Sequence, residues 1–209
     1  GKLKRYPDLI SFAFWCRNRN LIKKKNLFNK NYIKKNLGII YHVPPSNVPI
    51  SLAYSFAFSL LSGNSNIVRV SNPDLENIKE LLKIIKTVMS KKIFSEIFKS
   101  NLFLSFKRDD LISLDISKKV DGRIIWGGDN TIKEFKKMDT KISCRDIYFY
   151  DKYSICIIDL KKINFKSSIK KIVEKFYNDT FIMDQNACSS PHLIFWKNYD
   201  IKKINNFWN

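Results

Sequence analysis

The 209-residue chain is 44% hydrophobic and 14% aromatic, enough to pack a core and too much for wholesale disorder. Its net charge of +19 raises nucleic acid as a partner, yet the lysines run along the whole chain beside abundant Asn and Ile, with no zinc-ligand cluster and no aromatic-basic RNA-binding signature, so the charge reads as a solvated surface that also steers anionic ligands. Four cysteines without a Cys-x-x-Cys pair or a signal peptide fit free thiols in a reducing cytoplasm, and the longest apolar stretch, Ile50–Leu61, is too short to span a bilayer.

Residues 1–30 read as helical, with an apolar cluster from Leu9 to Trp15 and a basic run at Lys23–Lys25. Leu37–Val43 is a strand stopped by Pro44-Pro45. A helix follows Pro49 and closes at Ser62-Gly63-Asn64, where Gly suits a C-cap. Asn66–Val70 is a second strand. Leu75, Ile78, Leu81, Leu82 and Ile85 then give helical spacing over roughly 74–90. Residues 93–106 hold a short helix and a strand, Leu102–Phe106, and Asp109–Lys118 reads as a further helix. Arg123–Trp126 is a strand that runs through Gly127-Gly128 into a helix ending near Met138. Asp146–Tyr150 and Ser154–Asp159 are strands, Ser167–Tyr177 a helix, Asn178–Pro191 a loop and His192–Trp196 a last strand. Strands alternating with helices predict an α/β fold on a parallel sheet, with a boundary near 151–154.

Four segments could carry chemistry. In Pro44-Pro-Ser-Asn-Val-Pro49, Asn47 is either a helix N-cap or an amide donor held rigid for an oxyanion. Arg69 ends a strand at the carboxyl edge of the sheet, as an ordinary surface residue or as a ribose or phosphate contact. Gly127 and Gly128 join a strand to a helix start, which allows close backbone approach by phosphate, with Asp129 as the helix cap. Cys188 sits in a polar loop, either as an inert thiol or as a nucleophile. Neither His42 nor His192 completes a Cys–His protease arrangement.

Taken in order, these segments resemble the aldehyde dehydrogenase superfamily. The likeness rests on Pro45-Ser-Asn47-Val-Pro49, on Gly63-Asn64 through Arg69, on Gly127-Gly128 and on Gln185-Asn-Ala-Cys188. Within that superfamily the chain is similar to the LuxC-type acyl-CoA reductases, through Ser46-Asn-Val-Pro, Ala53-Tyr-Ser-Phe-Ala-Phe, Ile125-Trp-Gly-Gly-Asp, Phe176-Tyr-Asn-Asp-Thr and Asp184-Gln-Asn-Ala-Cys-Ser-Ser-Pro191. Tyr6-Pro-Asp to Phe14-Trp15 also fits, so the likeness covers nearly the whole chain.

The resemblance implies an aldehyde-dehydrogenase-like fold. Residues 1–152 would form a Rossmann-type nucleotide-binding domain, incomplete at its front, and 153–209 the beginning of a second α/β catalytic domain. Cys188 is then the acyl-accepting nucleophile, and Asn47 donates to the oxyanion beside the Cys188 N–H. Arg69 stands where the superfamily usually has a Lys on the adenosine ribose. An Arg there suits a 2′-phosphate and hence NADPH. Ser46, Gly127, Gly128 and Asp129 would line the cofactor. No Glu occurs between Glu134 and Glu174, so the water-activating base of the oxidative enzymes is missing. That absence favours reduction of a long-chain fatty acyl-CoA, or acyl-protein thioester, to an aldehyde. The alternative is a truncated, non-catalytic remnant that still binds nucleotide. Implied partners are fatty acyl-CoA, an acyl-protein synthetase, an acyl transferase and a second copy of the chain, with neither nucleic acid nor a transmembrane segment.

Overall fold

The computed structural model describes residues 5–26, 33–107, 110–164, 169–181, 185 and 187–209. The chain divides into two units, Gly1–Tyr150 and Asp151–Asn209.

The first unit begins with α1 (Pro7–Trp15) and α2 (Asn18–Asn26). Then follow β1 (Ile39–Val43), α3 (Ser51–Leu61), β2 (Ser65–Arg69) and α4 (Glu76–Met89). A 3₁₀ turn at Lys92–Phe94 and α5 (Ser95–Lys99) lead to β3 (Asn101–Leu104). The unit closes with α6 (Ile112–Ser117), β4 (Gly122–Gly127), α7 (Asp129–Lys137) and β5 (Arg145–Tyr150). The five strands are parallel in the order β3-β2-β1-β4-β5. This is the doubly wound, Rossmann-like α/β sheet.

Parallel strands are buried on both faces, so their apolar residues need not alternate with polar ones. In β1, Tyr41 and Val43 pack with Ile116, Val120, Ile125, Ile132 and Phe135, which brings α6 and α7 onto one face. The intervening His42 turns to the opposite face and reaches Ser55 of α3. Entry into β1 depends on Gly38, whose φ is +127°. A Cβ there would lie 2.2 Å from Asp121 Oδ2, the carboxylate oxygen that accepts from the Ile39 N–H at 2.9 Å. Lys141 donates to the other Asp121 oxygen at 2.8 Å. The backbone bond and the Lys141 bond hold the Asp121 carboxyl below its usual range.

Beside this network, Arg123 on β4 is 2% exposed and forks onto Asp146 of β5, Nε at 2.8 Å and Nη2 at 2.6 Å. Burial alone would lower the guanidinium pKa, but the Asp146 bond and charge outweigh it and raise the value. Tyr148 also donates to Asp146. Its hydroxyl is pushed up to about 12, first by burial and then by that carboxylate.

The second unit pairs β6 (Ser154–Asp159) with β7 (Pro191–Lys197) in parallel. Its core joins Ile158, Leu160, Ile204 and Phe207 with side chains of α8 (Ile169–Phe181), and Ile204 and Phe207 belong to α9 (Ile201–Trp208).

Three expectations need correction. Asp129 is not the cap of α7: Gly128 holds that position in extended backbone and Asp129 is the first helical residue. There its charge still complements the helix N-terminus. Asn47 is not the cap of α3 either, because Ile50 stands there after a turn in which Ser51 N donates to Val48 O. α8 runs on to Phe181 instead of ending at Tyr177. Its buried Thr180 keeps the inward stripe going past the polar Asn178-Asp179. The predicted starts at Ser167 and Asp109 lie outside the described residues. α9 was not anticipated; Asp200 caps it by accepting from Lys203 N at 3.2 Å.

Candidate functional site

The strand order of the first unit reverses between β1 and β4. From β1 the chain proceeds to β2 and β3 on one side, and β4 leads to β5 on the other. At such a switch point the loops at the carboxyl ends diverge and leave a crevice. Val43 at the end of β1 pairs with Ile125 of β4, so Gly127 extends two residues further along the same edge. Pro44–Ile50 leaves β1, Val70–Asn72 leaves β2, and Gly127-Gly128 leaves β4 into α7.

The first two loops are tied together. Asn72 Nδ2 donates to the Ser46 carbonyl at 3.1 Å, and Ser71 Oγ to the Pro44 carbonyl at 3.4 Å. Pro44, Pro49, Val70 and Ile78 line a small cavity beneath them. Ser46, which also lines it, and Asn47 are exposed. Three prolines limit the backbone of this loop, and the two side-chain bonds set its position.

Arg69, the last residue of β2, is half-buried. Its guanidinium carbon lies 5.4 Å from the centre of the Phe106 ring, and its Nε is buried without a hydrogen-bond partner among the described residues. At the end of β4, Trp126 stacks on Phe149 at 3.9 Å, and its indole Nε1 is likewise buried and unpartnered. Buried donors without acceptors are uncommon, and here two of them lie at the carboxyl edge. Gly127 lets β4 run close beside α7, since a Cβ would meet Thr131 Cβ at 3.0 Å. Gly128 has φ −68°, which any residue adopts. What glycine adds there is a bare backbone at the start of a helix.

His42 stiffens the sheet one residue before this edge. It is fully buried, with Nδ1 2.7 Å from Ser55 Oγ and Nε2 2.9 Å from Asn66 Oδ1. Asn66 Nδ2 donates to Asn64 O and to Asn101 Oδ1, which fixes Oδ1 as the acceptor. Nε2 therefore carries a proton and donates to Asn66, and with the ring neutral Nδ1 accepts from Ser55. Burial lowers its pKa to about 4, against the opposing pull of the Asn66 bond.

Cys188 lies in the second unit, exposed in the turn before β7. Ser154 Oγ donates to its carbonyl at 2.6 Å, and Ser190 N donates to Ala187 O at 2.9 Å, so the backbone of the turn is held. Within that unit, no described side chain hydrogen-bonds the thiol. His192 stacks on Tyr153 at 5.3 Å instead. Cys16, Cys144 and Cys156 are half-buried, and burial raises their thiol pKa values.

The sheet thus gathers Ser46, Asn47, Arg69, Gly127, Gly128 and Asp129 at one edge of the first unit. Sequence reasoning missed Ser71, Asn72 and the Trp126 indole. The polar pair directly after a strand and before Pro73 was the available signal for the first two. Among the described residues, no group of three or more His, Cys, Asp or Glu could hold a metal ion, and no helix is long and apolar enough to cross a membrane.

Residues 18–209 match the profile of a family described as Acyl-CoA reductase (LuxC). No curated protein matches the chain. Among solved structures, the chain is similar to betaine aldehyde dehydrogenase from Staphylococcus aureus in complex with NAD+, at 17% identity and a TM-score of 0.60 over 84% of this chain and 33% of that one. Glyceraldehyde-3-phosphate dehydrogenase from Methanocaldococcus jannaschii, complexed with NADP, gives 16% identity and 0.61 over 84% and 37%. An aldehyde dehydrogenase from Bartonella henselae gives 14% and 0.62 over 90% and 40%. At these identities the likeness shows the fold. The chain spans 33% to 40% of the length of these enzymes.

Proposed function

From its place in the acyl-CoA reductase (LuxC) family, to which this chain belongs, we propose that it is the nucleotide-binding part of such an enzyme and does not complete turnover by itself. The observation that carries this reading is the orphaned, buried Arg69 Nε at the carboxyl end of β2, one strand from the point where the strand order reverses. A dinucleotide fits what is present there. Its phosphates and ribose hydroxyls are acceptors, Arg69 supplies a cation, and Gly127-Gly128 with the α7 N-terminus offers close backbone N–H groups. Arg69 favours the additional phosphate of NADPH over NADH. Residues 1–152 are the nucleotide domain, and 153–209 begin the catalytic domain.

A second reading concerns the longer enzyme, and the exposed, backbone-anchored turn of Cys188 favours it. The Cys188 thiolate attacks the thioester carbon of a long-chain acyl-CoA, the oxyanion forms and collapses, and CoA leaves as its thiolate. The acyl group is now an S-acyl-cysteine. NADPH, when bound, would supply the hydride that this carbonyl carbon accepts and would leave as NADP+. Collapse of the second oxyanion breaks the C–S bond, which frees the aldehyde and returns the Cys188 thiolate. The Cys188 N–H is an oxyanion donor in this scheme, and one such donor contributes about 2.7–4 kcal/mol. Acyl-CoA, an acyl-protein synthetase and an acyl transferase are its partners.

Mass spectrometry after incubation with a long-chain acyl-CoA, with and without NADPH, tests both readings. The first predicts no aldehyde from this chain. The second predicts acyl mass on Cys188 in the longer enzyme and none in Cys188→Ala. Aldehyde formed by this chain alone would overturn the first, and covalent acyl label on Cys188→Ala would overturn the second.

A further inference from the structure

Charge and apolar surface are distributed in the first unit in a way that the carboxyl edge does not use. Every charged side chain between Asp8 and Asp74 is basic. Within this region α1, with the sequence PDLISFAFW, has Asp8 as its single charge and Ser11 as its one other polar side chain, and is otherwise apolar. A helix of that kind is ordinarily buried on every side. Here only the inward side is. Leu9 is buried, Phe12 and Trp15 pack edge-on against Tyr54 at 5.0 and 5.4 Å, and Trp15 meets Phe58 at 4.8 Å. Outward, Ile10 and Phe14, one turn apart, are 46% and 56% exposed, and Ile22 of α2 is 50% exposed.

Cations are set among these side chains. The Arg17 guanidinium lies 4.6 Å from the Phe14 ring centre, and the Lys24 ammonium lies 5.3 Å from Trp15 and 5.7 Å from Phe58. Lys23 and Lys25 are exposed on the same helix. The acids at the opposite, amino end of α1 are engaged: Asp8 with Asn77 at 2.7 Å and Glu76 with the Tyr6 hydroxyl at 3.0 Å.

We propose that the α1–α2 corner is an interfacial surface that docks on an anionic lipid bilayer. Ile10, Phe14 and Ile22 enter the headgroup layer while Arg17 and Lys23–Lys25 meet lipid phosphates. A nucleic acid backbone would reward the cations alone. A bilayer rewards cations and aliphatic tips together. The surface shares no residue with the proposed nucleotide edge.

Cosedimentation of the chain with vesicles tests it, using phosphatidylcholine alone and phosphatidylcholine with phosphatidylserine. The chain pellets with the anionic vesicles and stays in solution with the neutral ones. Phe14→Ser lowers partitioning about tenfold. Lys23→Gln and Lys25→Gln each lower it about fivefold. These side chains are exposed, so the urea midpoint of each variant should match the parent, and a matched midpoint makes the loss a surface effect. Equal pelleting of Phe14→Ser and the parent would overturn the proposal, as would tighter binding to a single-stranded oligonucleotide than to anionic vesicles. So would light scattering that finds a dimer which Phe14→Ser dissolves.

Discussion

Acidification from pH 7 to pH 5 should destabilise the first unit through a single buried imidazole. His42 has no exposed surface and a pKa near 4, while in the unfolded chain it titrates near 6.5. Between those values the unfolded state binds a proton that the folded state refuses, so stability rises with pH and is lost as pH falls below 6.5. Linkage gives a loss of about 2 kcal/mol by pH 5 and about 3 kcal/mol by pH 4. Asp121 and Asp146 have depressed values, so their contributions are lost mainly at lower pH and leave the window from 7 to 5 to His42. Urea unfolding at pH 7, 6 and 5 reads the effect, as a midpoint shift of about 1 M or more at typical slopes. His42→Gln should be less stable at pH 7, because the Ser55 and Asn66 bonds are disturbed, but should show a much flatter pH dependence. The reasoning fails if parent and variant lose stability in parallel, or if an imidazole proton resonance assigned to His42 titrates near 6.5 in the folded protein.

Asp146→Ala leaves the buried Arg123 charge without its partner and should cost about 3 kcal/mol in urea unfolding, with much of that recovered when Arg123→Met is added. Gly38→Ala should cost at least about 2 kcal/mol by the same assay, since the new Cβ collides with Asp121 in backbone that disfavours any side chain. Brief treatment with iodoacetamide followed by peptide mass mapping should find Cys188 modified first, ahead of Cys16, Cys144 and Cys156, whose thiols burial holds protonated.

The fold was legible where one physical signal dominated. The apolar runs at Leu37–Val43 and Arg123–Trp126 lie in the strands on either side of the switch point, because continuous apolar runs bounded by Pro or Gly leave a buried parallel strand few alternatives. The order of strands is another matter. That β1 sits between β2 and β4 depends on crossover packing, and no single segment states it. Boundaries were lost where polar residues sit on the outer side of a helix: Asn178 and Asp179 read as a loop yet lie within α8, since the buried Thr180 continues its inward side. Of the candidate site, strand-end logic read Arg69 and the two glycines at the sheet edge, where β2 and β4 end. The Trp126 indole was counted only as strand, because an unpartnered donor is a property of surroundings and not of residue type. The staples from Ser71 and Asn72 escaped for the same reason, since their acceptors are backbone carbonyls in a different loop.

The central claim is that the carboxyl edge of the five-stranded sheet is a nucleotide site. Calorimetric titration of NADPH into this chain and into Arg69→Ala tests it most directly. The account predicts saturable binding with one site per chain, weakened roughly tenfold to a hundredfold in Arg69→Ala through loss of a charge-assisted contact, with the urea midpoint largely kept. No heat with NADPH or NADH, or a variant that binds as tightly as the parent, would contradict it.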